Sequence, residues 1–220
     1  EPIYEEMKAL FKRYHVYFAS QAEARKLEKF MFGVEKGKEG VENGRLNAAI
    51  AGMSPQWIAE QSGFKVPKDT AIIGVELEKV GPEEPLSREK LSPVLGFYKV
   101  KDAEEGFKMC DEMLHFGGLG HTAEIHCKEQ EMADAFGDKC PALRIVWNSP
   151  STFGGLGNVY NSFEPSLTLG CGSYGHNSVG GNTNVHNLLN VKKVGKRRNT
   201  MQWFKVPQKI YFERNSIQYL

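Results

Sequence analysis

The sequence is short of the features that would set it apart from ordinary globular proteins. Its four cysteines, Cys110, Cys127, Cys140 and Cys171, never fall in a Cys-x-x-Cys pair. A disulfide framework or a structural zinc site is therefore not expected, and the thiols read as reduced ones in a cytoplasmic protein. No apolar run approaches the roughly 20 residues that a membrane helix needs, so no membrane association is expected. The first residues, Glu1 to Glu6, are acidic and amphipathic, the wrong start for a secretory signal. Internal repeats and low-complexity tracts are absent as well. What remains is 220 residues with 40% hydrophobic and 25% charged side chains. That composition excludes wholesale disorder, coiled coil and collagen, and the length allows one large domain or two small ones.

Acidic residues are missing from one place in particular. None occurs between Pro165 and Phe212, while Lys192, Lys193, Lys196, Arg197, Arg198, Lys205 and Lys209 supply seven positive charges there. Taking those seven from the 28 basic residues leaves 21 against 27 acidic ones, so the rest of the chain carries −6 although the total is +1. A basic segment on an acidic body points to an anionic partner or an acidic neighbouring surface.

Apolar periodicity divides the chain into elements. Ile3, Met7, Leu10, Phe11 and Tyr14 recur at helical spacing, and Ala24, Leu27, Phe30 and Met31 mark a second helix over 21–32. Residues 33–44 hold four glycines among alternating charges, a solvated loop. Ser54-Pro55 opens another helix and Gly63 closes it. Short apolar runs at 71–75, 94–100, 121–127 and 143–147 read as strands. Between them lie a helix capped by Asp102 and another over 130–136. Strands alternating with helices predict an α/β fold, a three-layer α/β/α arrangement on a mostly parallel sheet. Regularity fails over 149–184, where eight glycines accumulate, and a loop of that length is more often a functional surface than a connection. Beyond it, a short helix is expected near 185–189 and a strand at 209–212.

Candidate chemistry is sparse. Gly170-Cys171-Gly172-Ser173-Tyr174-Gly175 matches the dinucleotide fingerprint letter for letter. The next six residues, His176-Asn177-Ser178-Val179-Gly180-Gly181, cannot open a helix, and position 195 is Gly where the fingerprint needs an acidic residue. A tight, shaped loop is the better reading. Cys110 and Cys127 read as core residues and Cys140 as a turn residue, leaving Cys171 as the one with an active-site setting, without a basic partner visible beside it. His121 comes after Gly117-Gly118-Leu119-Gly120, glycines that let a backbone or ligand approach closely, although an isolated loop histidine is more often structural. Glu89, read alone, is a solvated charge between Arg88 and Lys90. The basic run 192–198 followed by Trp203 and Phe204 could suit a nucleic acid. It lacks any nucleic-acid-binding motif, and an inter-subunit or inter-domain contact is favoured over nucleic acid.

Taken together these segments resemble a known family. Arg88-Glu89-Lys90-Leu91-Ser92-Pro93-Val94-Leu95 is similar to the Glu-x-x-x-Pro motif of the aldehyde dehydrogenase superfamily. Gly117-Gly118-Leu119-Gly120-His121-Thr122 and the stretch 165–173 (PSLTLGCGS) narrow the likeness to the CoA-acylating branch. The stretch 201–212 (MQWFKVPQKIYF) resembles the end of the aldehyde dehydrogenase half of bifunctional aldehyde–alcohol dehydrogenases. The resemblance covers essentially the whole chain and is weakest over 33–44.

The resemblance implies a chemistry: a cysteine thiolate attacks acetaldehyde, hydride leaves to NAD⁺, and the thioester passes to coenzyme A. It implies that Glu89 holds the hydroxyls of the nicotinamide ribose, and that His121 belongs to the active-site region, assisting proton transfer or CoA exchange. It also implies that Leu169, Gly170 and Cys171 line the aldehyde and nicotinamide pocket. In the family the nucleophile lies shortly ahead of the helix that matches residues 3–14, and none of the four cysteines here matches its motif. The nucleotide-binding half, which provides most of the NAD site, would precede it too. The expected organisation is thus a partial catalytic subdomain over 1–184 and a basic segment with a contact strand over 185–220. The chain alone is expected to be inactive and to self-associate. The alternatives are a stand-alone CoA-acylating aldehyde dehydrogenase, or an assembly module with a basic binding segment.

Overall fold

The computed structural model describes residues 3–33, 45–157 and 161–197. The chain divides into two compact units, Glu1–Asn187 and Leu188–Leu220. Every α-helix and strand among the described residues belongs to the first.

Helix α1 (Tyr4–Arg13) leads through a left-handed His15 (φ 66°) into the short strand β1 (Val16–Phe18). Helix α2 (Gln21–Phe32) begins with a capping box, in which the Glu23 amide donates to the Ser20 hydroxyl and the Glu23 carboxylate accepts from the Ser20 amide. It ends on Gly33 at φ 67°, a conformation glycine adopts freely. Ser54 caps α3 (Pro55–Gln61), with Pro55 at its first position. Strands β2 (Ile72–Glu76) and β3 (Val94–Phe97) then join β1 in a parallel sheet of order β1-β2-β3.

Alternation along β2 separates the two faces of that sheet. Ile73 and Val75, 0% and 1% exposed, point into a core with Leu27 and Met31 of α2, Ile58 of α3, Ile50, Leu77, Leu86 and Val94. Removing each of these large side chains from water contributes about 1.5–3 kcal/mol. Gly74 and Glu76 face the other way. A Cβ on Gly74 would lie 3.0 Å from the Phe97 ring and 3.1 Å from the Phe18 ring. Phe97 in turn packs edge-on against Phe11 of α1 at 5.1 Å. Glu76 accepts from the Tyr4 hydroxyl at 2.8 Å and from Lys8 at 2.6 Å, both on α1. The lysine bond holds the Glu76 carboxyl below its usual range, while burial foremost, and Glu76 next, push the Tyr4 phenol up. So α1 covers one face and α2 with α3 the other.

A second, two-stranded parallel sheet comes next in the chain. Asp102 caps α4 (Ala103–Gly117) through its side chain, which accepts from the Glu105 amide at 2.9 Å. Strand β4 (Gly120–Ile125), helix α5 (Gln130–Lys139) and strand β5 (Ala142–Trp147) complete a βαβ unit. Ile145 faces α5, where Gly137 lies in van der Waals range, and Val146 faces α6 (Ser151–Leu156). The expected α/β class, with helices on both faces of parallel strands, is what the chain forms.

Among the described α-helices and strands, two were not legible in the sequence pattern. β1 is three residues long, too short to show a period. α6 falls in the stretch read as irregular, and its Gly154 and Gly155 would ordinarily argue against a helix. Here packing overrides propensity: a Cβ on Gly154 would run into the Val146 side chain, and one on Gly155 would sit 3.6 Å from Thr122. The helix near 185–189 is a single 3₁₀ turn, Val185–Leu188. In the second unit the described residues have no regular structure beyond that turn, and Val191 and Val194 are 77% and 97% exposed. The strand expected at 209–212 and nearly all of the loop expected at 33–44 lie outside the described residues. Among the described residues no helix is long and apolar enough to cross a membrane.

Candidate functional site

Glu89 sits on the connection between a 3₁₀ turn, Pro85–Ser87, and β3. Lys90 pins this connection by donating to the main-chain carbonyls of Leu86 at 2.6 Å and Arg88 at 2.9 Å. Burial pulls the Lys90 ammonium down to about 8, with the neighbouring Glu89 carboxylate opposing the shift. The segment rests on the last turn of α4, where a Cβ on Gly117 would meet Arg88 at 3.3 Å and the Glu89 amide at 3.6 Å. Arg88 lies over the Phe116 ring at 4.5 Å. Glu89 itself is exposed, at the edge of a cavity of about 250 Å³ whose walls include Lys90, Leu114, Thr122, Ala123 and Phe136.

Thr122 belongs also to a second cluster. His121 is exposed at the start of β4, with its Nδ1 3.0 Å from the Thr122 hydroxyl. Beneath it lies Arg144 of β5, only 2% exposed. Its Nε donates to the same Thr122 hydroxyl at 3.1 Å, and its Nη2 donates to the carbonyls of His121 at 3.0 Å and Gly170 at 2.7 Å. Among the described residues its Nη1 is buried with no hydrogen-bond partner. Burial lowers the guanidinium pKa, and the side chain of Cys171 nearby works against that shift. Arg144 was not anticipated from sequence. The signal available was a lone charge on the same strand face as the buried Val146, in an otherwise apolar run.

The glycine-rich stretch closes over this cluster. Leu169 bridges Asn182 in antiparallel fashion, and the amides of Gly170 and Gly172 donate to the carbonyls of Gly181 and Val179, each at 2.9 Å. Gly172 has φ 53°, and a Cβ on Gly170 would collide with the Val179 carbonyl. These glycines serve close main-chain packing, which accounts for the letter-perfect fingerprint without a nucleotide fold; among the described residues no α-helix comes after it. The stretch seats on β4 at Gly120, whose φ of 81° and approach to the Cys171 carbonyl leave no room for a side chain.

Of the five residues singled out in the sequence, His121, Gly170 and Cys171 therefore meet around Arg144. Leu169 reaches Gly155 of α6, beside Thr122. Glu89 stands across the cavity wall from Thr122 rather than in the cluster itself. The other cysteines have settings of their own. Burial pushes the Cys140 thiol up to about 12 and raises Cys110 as well, which suits inert core thiols. Among the described residues no group of three or more His, Cys, Asp or Glu side chains could hold a metal ion.

No family model matches the chain. Its fold, however, is that of acetylating aldehyde dehydrogenases. The enzyme of that description from Geobacillus thermoglucosidasius superposes with a TM-score of 0.82 at 39% identity, over 93% of this chain and 43% of that one. A probable aldehyde dehydrogenase from Listeria monocytogenes gives 0.82 at 35% identity, over 91% and 42%. Over nearly its whole length the chain is thus similar to acetylating aldehyde dehydrogenases. Its sequence is also similar to those of aldehyde-alcohol dehydrogenases. It is 54% identical over 218 residues to that of Streptococcus pneumoniae serotype 4, covering 99% of this chain and 25% of the relative. It is 50% identical over 220 residues to aldehyde-alcohol dehydrogenase 2 of Entamoeba histolytica, again 25% of the relative. The chain thus spans about a quarter of the length of the curated relatives it matches.

Proposed function

We propose that this chain is the C-terminal part of an acetaldehyde dehydrogenase (acetylating) unit, which interconverts acetaldehyde, CoA and NAD⁺ with acetyl-CoA and NADH. The observation that carries this reading is the 54% identity to an aldehyde-alcohol dehydrogenase, sustained over 218 residues that take in the whole candidate site. The nucleophilic cysteine is assigned to polypeptide that precedes this segment in the relatives. NAD⁺, when bound, supplies the hydride acceptor.

The roles of this chain's own residues are read from their settings. The exposed Glu89 carboxylate, held up by the Lys90 clamp, accepts hydrogen bonds from the two ribose hydroxyls of the nicotinamide moiety. The cavity beside it, about 250 Å³, is at the small end for a ligand site and suits only part of a dinucleotide. Most of the NAD contact is therefore assigned to the other half of the unit. His121, its Nδ1 engaged by Thr122, keeps Nε2 for proton exchange with the carbonyl oxygen or the CoA thiol. Leu169, Gly170 and Cys171 form the wall against the aldehyde. Residues 1–184 act as the catalytic subdomain, and 185–220 as a basic contact segment for self-association, in a cytoplasmic enzyme.

The test is a chimera of the Streptococcus pneumoniae relative in which this chain replaces its matching quarter. CoA-dependent NADH formation from acetaldehyde, within about tenfold of the parent, is expected; that margin is about 1.4 kcal/mol of barrier. A folded chimera without such activity would refute the reading. The chain alone should give no NADH, and turnover by it would overturn the placement of the nucleophile.

A further inference from the structure

We infer that Arg144, acting through the Thr122 hydroxyl, locks His121 in the tautomer with its proton on Nε2, making both of them positioning residues for that histidine. The inference rests on the dehydrogenase reading only for its consequence in turnover. The lock itself comes from counting donors. A guanidinium can only donate, so the Arg144 Nε–H bond at 3.1 Å occupies one lone pair of the Thr122 oxygen. The hydroxyl has a single proton left to place. Accepting from a cation makes that hydroxyl a stronger donor and a poorer second acceptor, and the ring nitrogen beside it is Nδ1 of His121, at 3.0 Å, which takes the proton. A proton given to Nδ1 by the hydroxyl requires that nitrogen to be bare, which leaves the ring proton on Nε2.

Burial makes the arrangement firm. Arg144 is 2% exposed and its Nη2 is fastened to the His121 and Gly170 carbonyls, so it cannot turn away from Thr122 to satisfy Nε elsewhere. The same guanidinium thus fixes the main chain under His121, the adjacent wall at Gly170 and, through one hydroxyl, the proton on the ring. His121 is exposed, and an exposed imidazole without such a relay would exchange freely between tautomers. The locked form presents a donor N–H to the pocket. That suits stabilising a developing negative charge on a carbonyl oxygen.

The experiment uses this chain with ¹⁵N-labelled histidine at alkaline pH, where imidazole is neutral. His121→Gln identifies the signals among the six histidines. The native chain should show His121 as the Nε2–H form with the Nδ1–H form undetected. Thr122→Val should restore a measurable Nδ1–H population, and Thr122→Ser should abolish it again. Arg144→Met should act in the same direction as Thr122→Val, because a hydroxyl no longer polarised by the guanidinium accepts more readily from Nδ1–H; if that variant does not fold, the two threonine variants decide. A mixed tautomer in the native chain, or one unchanged by Thr122→Val, would overturn the inference. In the chimera, Thr122→Val should lower kcat about tenfold, with Thr122→Ser restoring it. A chimera inactive with native Thr122 would sink the dehydrogenase reading while the tautomer measurement still judged the lock.

Discussion

The two sheets of this chain are held by different means. Around β1, β2 and β3 the packing is dry: Leu27, Met31, Ile50, Ile58, Ile73 and Leu86 are each fully buried, and the core draws on helices, strands and a 3₁₀ turn alike. Around β4 and β5 none of the α4 residues is fully buried, and the buried Arg144, the Asn182 amide and close glycine contacts bring the segments together. Apolar packing is non-directional and spread over many groups, whereas a guanidinium bond or a glycine contact is positional and concentrated in one. The first sheet therefore supplies stability and the second supplies placement, and the candidate site lies on the second.

Three changes would break or sharpen that contrast. The largest effect is expected from Leu27→Ala, about 2–5 kcal/mol from lost burial and the cavity left behind, read from urea denaturation. Exchange of the Gly170 and Gly172 amides, set by local opening, should hardly change in that variant. If those amides lost protection in step with the core, the two regions would be one cooperative body and the contrast would fail. Gly120→Ala comes next, at about 1–3 kcal/mol, since it imposes a left-handed φ on alanine and pushes against the Cys171 carbonyl. Its mark should be faster exchange at Gly170 and Gly172 with the β2 amides left protected. Lys90→Met is the smallest, about 1 kcal/mol after solvent screening, and shows in pH dependence. Burial lowers the lysine to about 8 from its ordinary 10.5. Between those values the unfolded chain holds a proton that the folded one has released, so the native chain gains stability as pH rises. Denaturation at pH 7.5 and 9.5 should show the native protein gaining on Lys90→Met; a constant difference would mean the amine is not penalised by its burial.

How far the sequence could be read mirrors the same division. Elements with several apolar residues in register, such as α2, α3, β2 and the Asp102-capped α4, were legible because burial and capping act locally on the pattern. β1 and α6 were not, since one is too short for a period and the other packs so closely on Val146 that Gly154 has no room for a side chain. At the site, His121 and the Gly170–Cys171 turn stood out by their glycine neighbours. Arg144 and Thr122 did not, because their part is defined by hydrogen bonds across 22 to 26 residues of chain, which no local spacing reveals.

The carboxylate of Glu76 has a mechanical side. By gripping Tyr4 and Lys8, it clamps the first two turns of α1 to the end of the central strand, on the face away from the main core. α1 is then less a covering helix than a lever with a fixed fulcrum. The direction in which the backbone arrives at Tyr4 is inherited from β2, and a change at Glu76 would be felt at that point of arrival before it was felt in the core.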